Sequence, residues 1–116
     1  NNTVTFYNNT KVENPRGTLT ADRLIVYFSE DGKKVVKSEG IGDVKISVDE
    51  KKGAADRFIY LPSRKTAILI GNAMVTSEGN TVRGGKITFY LDREEMEVED
   101  APDIRFLPEE DLEVGL

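Results

Sequence analysis

The side chains available for covalent chemistry in this 116-residue chain are mostly carboxylates: 21 Asp and Glu, with no Cys and no His. Those two absences exclude disulfides, thiol nucleophiles, Cys/His zinc sites, a Ser-His-Asp triad and imidazole acid–base work. What remains for an enzyme is a glycosidase-like pair of carboxylates. With 21 acids in one domain some pair always lies close, so proximity is no evidence for catalysis, and the chain reads as non-enzymatic. A metal site needs oxygen ligands clustered at loop spacing, whereas Asp22 and Asp56 are far apart in the chain. Neither a metal nor a cofactor is expected. The chemistry left is non-covalent, the burial of apolar surface.

Sixteen Lys and Arg leave a net charge of −5, which argues against nucleic acid or an anionic membrane as a generic partner. At 38% hydrophobic and 32% charged residues the chain is lean in core yet too apolar to be disordered. No apolar run reaches the roughly 20 residues of a membrane helix. An opening on Asn1-Asn2, without Met, is compatible with a removed export signal or with trimming. The lack of Cys suits oxidising and reducing compartments equally.

Positioning falls to β-strands. Val44-Lys45-Ile46-Ser47-Val48 alternates cleanly, as do Leu24, Val26 and Phe28, and Ile87, Phe89 and Leu91. Turn signals separate such runs, among them Glu30-Asp31-Gly32-Lys33, Lys51-Lys52-Gly53 and Glu78-Gly79-Asn80. Strands are expected near 3–7, 10–14, 18–28, 34–38, 43–49, 53–61, 66–71, 73–77, 81–91, 95–99 and 103–106. No ten-residue stretch has a helical stripe. The expectation is one all-β domain over 1–106, with an acidic tail over 107–116 (Glu109, Glu110, Asp111, Glu113).

A weak repeat of about 30 residues runs through the chain. Ala21-Asp22-Arg23-Leu24 returns as Ala55-Asp56-Arg57-Phe58 and as Gly84-Gly85-Lys86-Ile87, each read as opening a strand. Stacked β units sharing one core are the usual source of such a period. In phase with Asp22 fall Leu24, Val26, Phe28, Phe58, Tyr60, Ile87, Phe89 and Leu91, all apolar or aromatic. The other phase holds Ala21, Ala55, Gly84, Arg23, Arg57 and Lys86 and is the wetter one. The first set lines an interior together with Val44, Ile46, Val48, Ala73 and Val75, and with Val4, Phe6 and Val12. That interior can be filled by its own side chains or left partly open for a ligand, and periodicity does not choose between them. Asp22 and Asp56, charged yet in the inward phase, are expected at strand starts near an open mouth. Arg23, Arg57 and Lys86 could meet phosphates at a rim or simply solvate the surface.

Several of these segments resemble a known family. Thr3-Val4-Thr5-Phe6, Lys11-Val12-Glu13, Gly17-Thr18-Leu19-Thr20-Ala21-Asp22-Arg23, Ile70-Gly71-Asn72-Ala73 and Gly79-Asn80-Thr81-Val82-Arg83-Gly84-Gly85-Lys86-Ile87-Thr88-Phe89 together resemble the OstA-like (LptA-type) family of periplasmic lipopolysaccharide-transport proteins. The resemblance spans about residues 3–106, with Gly85 standing where the family commonly has Asp. It implies an open, twisted antiparallel β-jellyroll in the periplasm, built from short repeated strands. It further implies a groove for lipopolysaccharide acyl chains, lined by Leu24, Val26, Phe28, Val44, Ile46, Phe58, Tyr60, Ala73, Val75, Ile87, Phe89 and Leu91. Family members join head to tail, with themselves and with jellyroll domains of inner- and outer-membrane components. The edges expected to do so are Thr3, Val4, Thr5 and Phe6 at one end and Asp103, Ile104, Arg105 and Phe106 at the other, both poor in blocking charges. Two other readings stand beside the bridge: a jellyroll domain of another transport component, anchored in the inner membrane or part of the outer-membrane translocon, and a carbohydrate-binding β module. The lack of Trp counts against the last.

Overall fold

The structure, a computed structural model, describes residues 2–15, 17–93, 95–100 and 104–105. Six long strands form one antiparallel meander: β1 (Thr3–Asn14), β2 (Gly17–Phe28), β3 (Val35–Val48), β4 (Lys51–Leu61), β5 (Thr66–Ser77) and β6 (Asn80–Tyr90). The shorter β7 (Glu95–Glu99) pairs with the second half of β6 and the two-residue β8 (Ile104–Arg105) with its first half. A 3-10 turn, Pro62–Arg64, holds the only helical residues among those described. Strand order follows chain order, because every link between the long strands is a tight hairpin or short turn.

Every long strand is bent at its middle, and the bend explains the repeat. On the odd strands it is made by pairs with positive φ: Asn8-Asn9 on β1, Gly42-Asp43 on β3 and Gly71-Asn72 on β5. Ladder register shifts at each pair, between Tyr7 and Thr10, Ile41 and Val44, and Ile70 and Ala73. Two residues on the odd strand oppose one on the even strand, which is a β-bulge; it kinks the strand and increases its twist. The opposing residues are Asp22, Asp56 and Gly85. A methyl group on Gly71 would sit 2.7 Å from the Asp56 carboxylate, so that corner needs glycine for space as well as for φ. In the third repeat the pieces are exchanged. Gly85 stands on the even strand, and the carboxylate comes from Asp100, whose carbonyl accepts the Gly85 amide at 3.1 Å.

Asp22 and Asp56 therefore lie in mid-strand and exposed, not at strand starts beside a mouth. The bulge also inverts the phase expected for the neighbouring small residues. Ala21 and Ala55, read as wet, are buried, because alternation restarts on the far side of each corner.

The corners divide the sheet into two arms. Arm one holds 10–14, 17–21, 44–48, 51–55, 73–77 and 80–84; arm two holds 3–7, 23–28, 35–41, 57–61, 66–70 and 86–90 with β7. The arms close on each other with their inner faces together. Arm one supplies Ala21, Val44, Ala55, Ala73 and Val75 to the core, and arm two supplies Phe58, Leu69 and Ile87. Small residues near the corner on one arm admit large ones from the other. A Cβ on Gly53 would be 3.2 Å from Leu69 Cδ1, and one on Gly84 would be 2.6 Å from Val98 Cγ1.

Candidate functional site

Apart from Leu91, the apolar interior residues expected from alternation lie on the inner face, but their exposure differs sharply along the sheet. At the centre the interior is filled. Ile87 is 0% exposed and Leu69 and Val44 are 1%, with Leu24, Phe58, Ala73 and Val75 also buried. Val26, Phe28, Ile46, Tyr60 and Phe89 are half-buried. Leu91 is the exception: β6 ends at Tyr90, and Leu91 sits in the following turn, 46% exposed. Leu69, among the most buried side chains, was not expected inside, because the run Ala67-Ile68-Leu69-Ile70 is apolar in both phases. Its register opposite Ile87 and Phe58 decides its side.

At the flanks the same inner face is uncovered. Val4, Phe6 and Val12 on β1, in phase with Leu24 and Leu19 on β2, are exposed, Phe6 by 47%. Met96 on β7, opposite Phe89, is exposed as well. These strands have a neighbour on one side only. Near the tip of arm two a hollow of about 300 Å³ opens beside Val4 and Phe28, with Asn2, Thr3 and Gly32 on its rim. Within the β1 strip sits Thr10, whose Oγ1 is buried and has no hydrogen-bond partner. An unpaired hydroxyl in such a place costs about 1–3 kcal/mol.

Among the described residues β1 pairs with β2 alone and is a free edge over its whole length, including Thr3, Val4, Thr5 and Phe6. The opposite edge is composite. Ile104 and Arg105 pair with Val82 and Thr81, while Asp103 and Phe106 lie outside the described residues. β7 completes that edge beside arm two and was not expected to. It presents Glu95, Glu97 and Glu99, so this end is not poor in charge. Glutamates on an edge strand discourage indiscriminate pairing.

Two of the three recurring cations, Arg57 and Lys86, have partners on the outer face. Arg57 pairs with Glu39, whose carboxylate also accepts from the Tyr27 hydroxyl at 3.1 Å. Glu39 is 5% exposed. Desolvation pushes its pKa up, but the Arg57 guanidinium and the Tyr27 hydroxyl together outweigh this and hold it below the ordinary glutamate range. Lys37 lies 4.9 Å from the Tyr27 ring centre and Lys86 lies 3.8 Å from Glu99. Two of the three cations thus neutralise carboxylates of their own sheet. Among the described residues no three acids converge as a metal site would require, and no helix is long and apolar enough to cross a membrane.

Comparison with known proteins agrees with this architecture. The family model described as LptA/(LptD N-terminal domain) LPS transport protein matches residues 1–95. The crystal structure of LptH, the LptA-homologous periplasmic component of the lipopolysaccharide transport device of Pseudomonas aeruginosa, superposes with a TM-score of 0.76 at 18% identity, covering 90% of this chain and 78% of that one. No curated protein sequence matches.

Proposed function

The chain belongs to the LptA/LptD N-terminal domain family of lipopolysaccharide-transport proteins, and from that premise we propose that it is a non-enzymatic periplasmic carrier. In this reading its inner face shelters lipopolysaccharide acyl chains while its edges join it to further jellyrolls, copies of itself and the corresponding domains of the inner- and outer-membrane components. The observation that supports it best is the uncovered strip Val4, Phe6 and Val12, an apolar surface continuous with the core at an edge that no other described strand pairs. Burying one methylene is worth about 0.8 kcal/mol, so a chain of roughly a dozen gains on the order of 10 kcal/mol before ordering costs. Non-directional contacts of this kind permit sliding, which a carrier needs. The filled centre implies that lipid first meets the β1 strip and reaches Phe58 or Ile87 only where the arms part.

A photo-crosslinking residue at Phe6 tests the reading, with the neighbouring and more exposed Tyr7, on the opposite face, as control. Lipopolysaccharide labels Phe6 and spares Tyr7; equal labelling of both, or none, overturns it. For assembly, sedimentation over a wide concentration range gives species larger than the monomer, and removing residues 101–116 moves their formation to higher concentration. A monomer at every concentration refutes end-to-end joining. The family name also covers an LptD N-terminal domain, which favours one second reading, the jellyroll of the outer-membrane translocon. Detection of the native chain in the soluble periplasmic fraction or with outer membranes separates the two.

A further inference from the structure

A second hollow, with a volume of about 430 Å³, lies on the other side of the sheet, on the outer face of arm one. Ile46, Gly53, Ala54 and Met74 line it together with Thr18, Thr20, Ser47 and Thr76, the Thr76 hydroxyl lying 3.3 Å from that of Thr81. Register brings two ammonium groups to it from adjacent strands: Lys45 lies opposite Thr20 and Ala54, and Lys52 opposite Ser47 and Thr76. Among the described residues no carboxylate lines the hollow. Among the described residues neither lysine forms an ion pair, in contrast to Arg57 and Lys86. In a chain of net charge −5, a concave surface with two free cations, four alcohols and no acid is a local reversal of sign.

We propose that this hollow is a binding site for a phosphorylated saccharide. Two lysines supply point charges for a phosphate. The threonine and serine hydroxyls both donate and accept, as sugar hydroxyls require, and their methyl groups with Met74 present apolar surface to the sugar ring. The volume falls in the range of about 300–1,000 Å³ usual for small-molecule sites. An acidic peptide fits less well, because β2 to β5 are paired on both sides and offer no free ladder for strand addition. An anionic membrane fits less well too, since the surface is concave and the remainder of the molecule is acidic.

The inference rests on the carrier reading for the origin of the sugar, the phosphorylated headgroup of the transported lipid, and it adds a second contact to that function. β2, which bears Thr18 and Thr20, is the strand next to the free edge β1. The rim of the hollow and the apolar strip are thus offset laterally by one strand spacing of about 4.8 Å, on opposite faces of the sheet, with the paired Lys11 and Glu13 on the outer side of β1 beside Thr20 and Thr18. A lipid whose acyl chains lie along the inner side of β1 can fold its headgroup over that edge.

The test is a titration of the full chain with a soluble phosphorylated glucosamine disaccharide lacking acyl chains, followed by backbone amide shifts. Shifts cluster at Thr18, Ser47, Lys52 and Thr76, and added salt weakens them. The double variant Lys45→Gln/Lys52→Gln binds about tenfold more weakly, whereas Lys45→Arg/Lys52→Arg retains binding. Shifts that are absent, scattered or indifferent to the Gln variant overturn the proposal. So does equal affinity for inorganic phosphate, which would mark a non-specific anion contact, or for the unphosphorylated disaccharide. Binding of a spin-labelled fatty acid to the same proteins reports on the inner face separately. Its failure would remove the carrier reading and leave the sugar-phosphate titration to be judged by itself.

Discussion

Ile87 and Phe6 share an inward phase, an apolar side chain and a place on the same bent sheet, yet one is 0% exposed and the other 47%. The difference lies in their neighbours. β6 has a strand on each side and the opposite arm across from it, while β1 has β2 alone. Phase decides which face a side chain joins; position in the strand order decides whether that face is closed. The centre thus holds the fold together and the flanks leave apolar surface uncovered, so packing and the proposed lipid contact fall on different strands of one continuous face.

Four measurements probe that division. Ile87→Ala should have the largest effect, lowering stability by about 3–4 kcal/mol in denaturant titration, since the site is fully enclosed and cannot collapse easily. A loss below about 1 kcal/mol would mean the centre is looser than described. On the outer side of the same central strands, acidification should cost about 1–2 kcal/mol through Glu39. Its folded pKa lies below the ordinary value of 4.5, so its contribution is complete above that pH and is lost as pH falls through the lower folded value. Glu39→Gln should flatten that part of the pH–stability profile; an unchanged profile would deny the Arg57 and Tyr27 contacts any energetic role. At the flank, Thr10→Val should raise stability by about 1 kcal/mol by deleting a buried unpaired hydroxyl, and a loss would reveal a partner in solution. Phe6→Ala should change stability least, by less than about 0.5 kcal/mol, while abolishing most lipid labelling along β1. If it destabilised as much as Ile87→Ala, the distinction between centre and flank would fall.

Much of this architecture was legible in the residues. Alternation marked the strands and the inner set, and the breaks expected after Tyr7 and Gly71 coincide with real register shifts. The repeat was visible too, but its meaning was not. Ala-Asp-Arg reads locally as the opening of a strand, and only the opposing pairs Asn8-Asn9, Gly42-Asp43 and Gly71-Asn72 reveal a corner in mid-strand. Those pairs face Asp22, Asp56 and Gly85 across the ladder, a relation that no single stretch contains. The same limit hid Leu69, whose neighbours are apolar on both sides. It also hid the place of β7, expected as a strand over 95–99 but not as an edge until pairing with β6 put it there. The hollow bearing Lys45 and Lys52 is likewise a product of register, since Lys45 reads only as part of an alternating strand and Lys51-Lys52-Gly53 as a turn.

The wiring of the meander has an evolutionary corollary. Each long strand bonds to the one before it and the one after it in the chain, and every corner reuses the same handful of small and acidic residues. Duplicating one bent hairpin would therefore lengthen the sheet without rethreading any segment, because the new pair would meet matching kinks at both of its borders. A gene encoding such a sheet can adjust the span of its product in increments of a single hairpin, and the ends of the assembly, not its middle, are where such growth would first be felt.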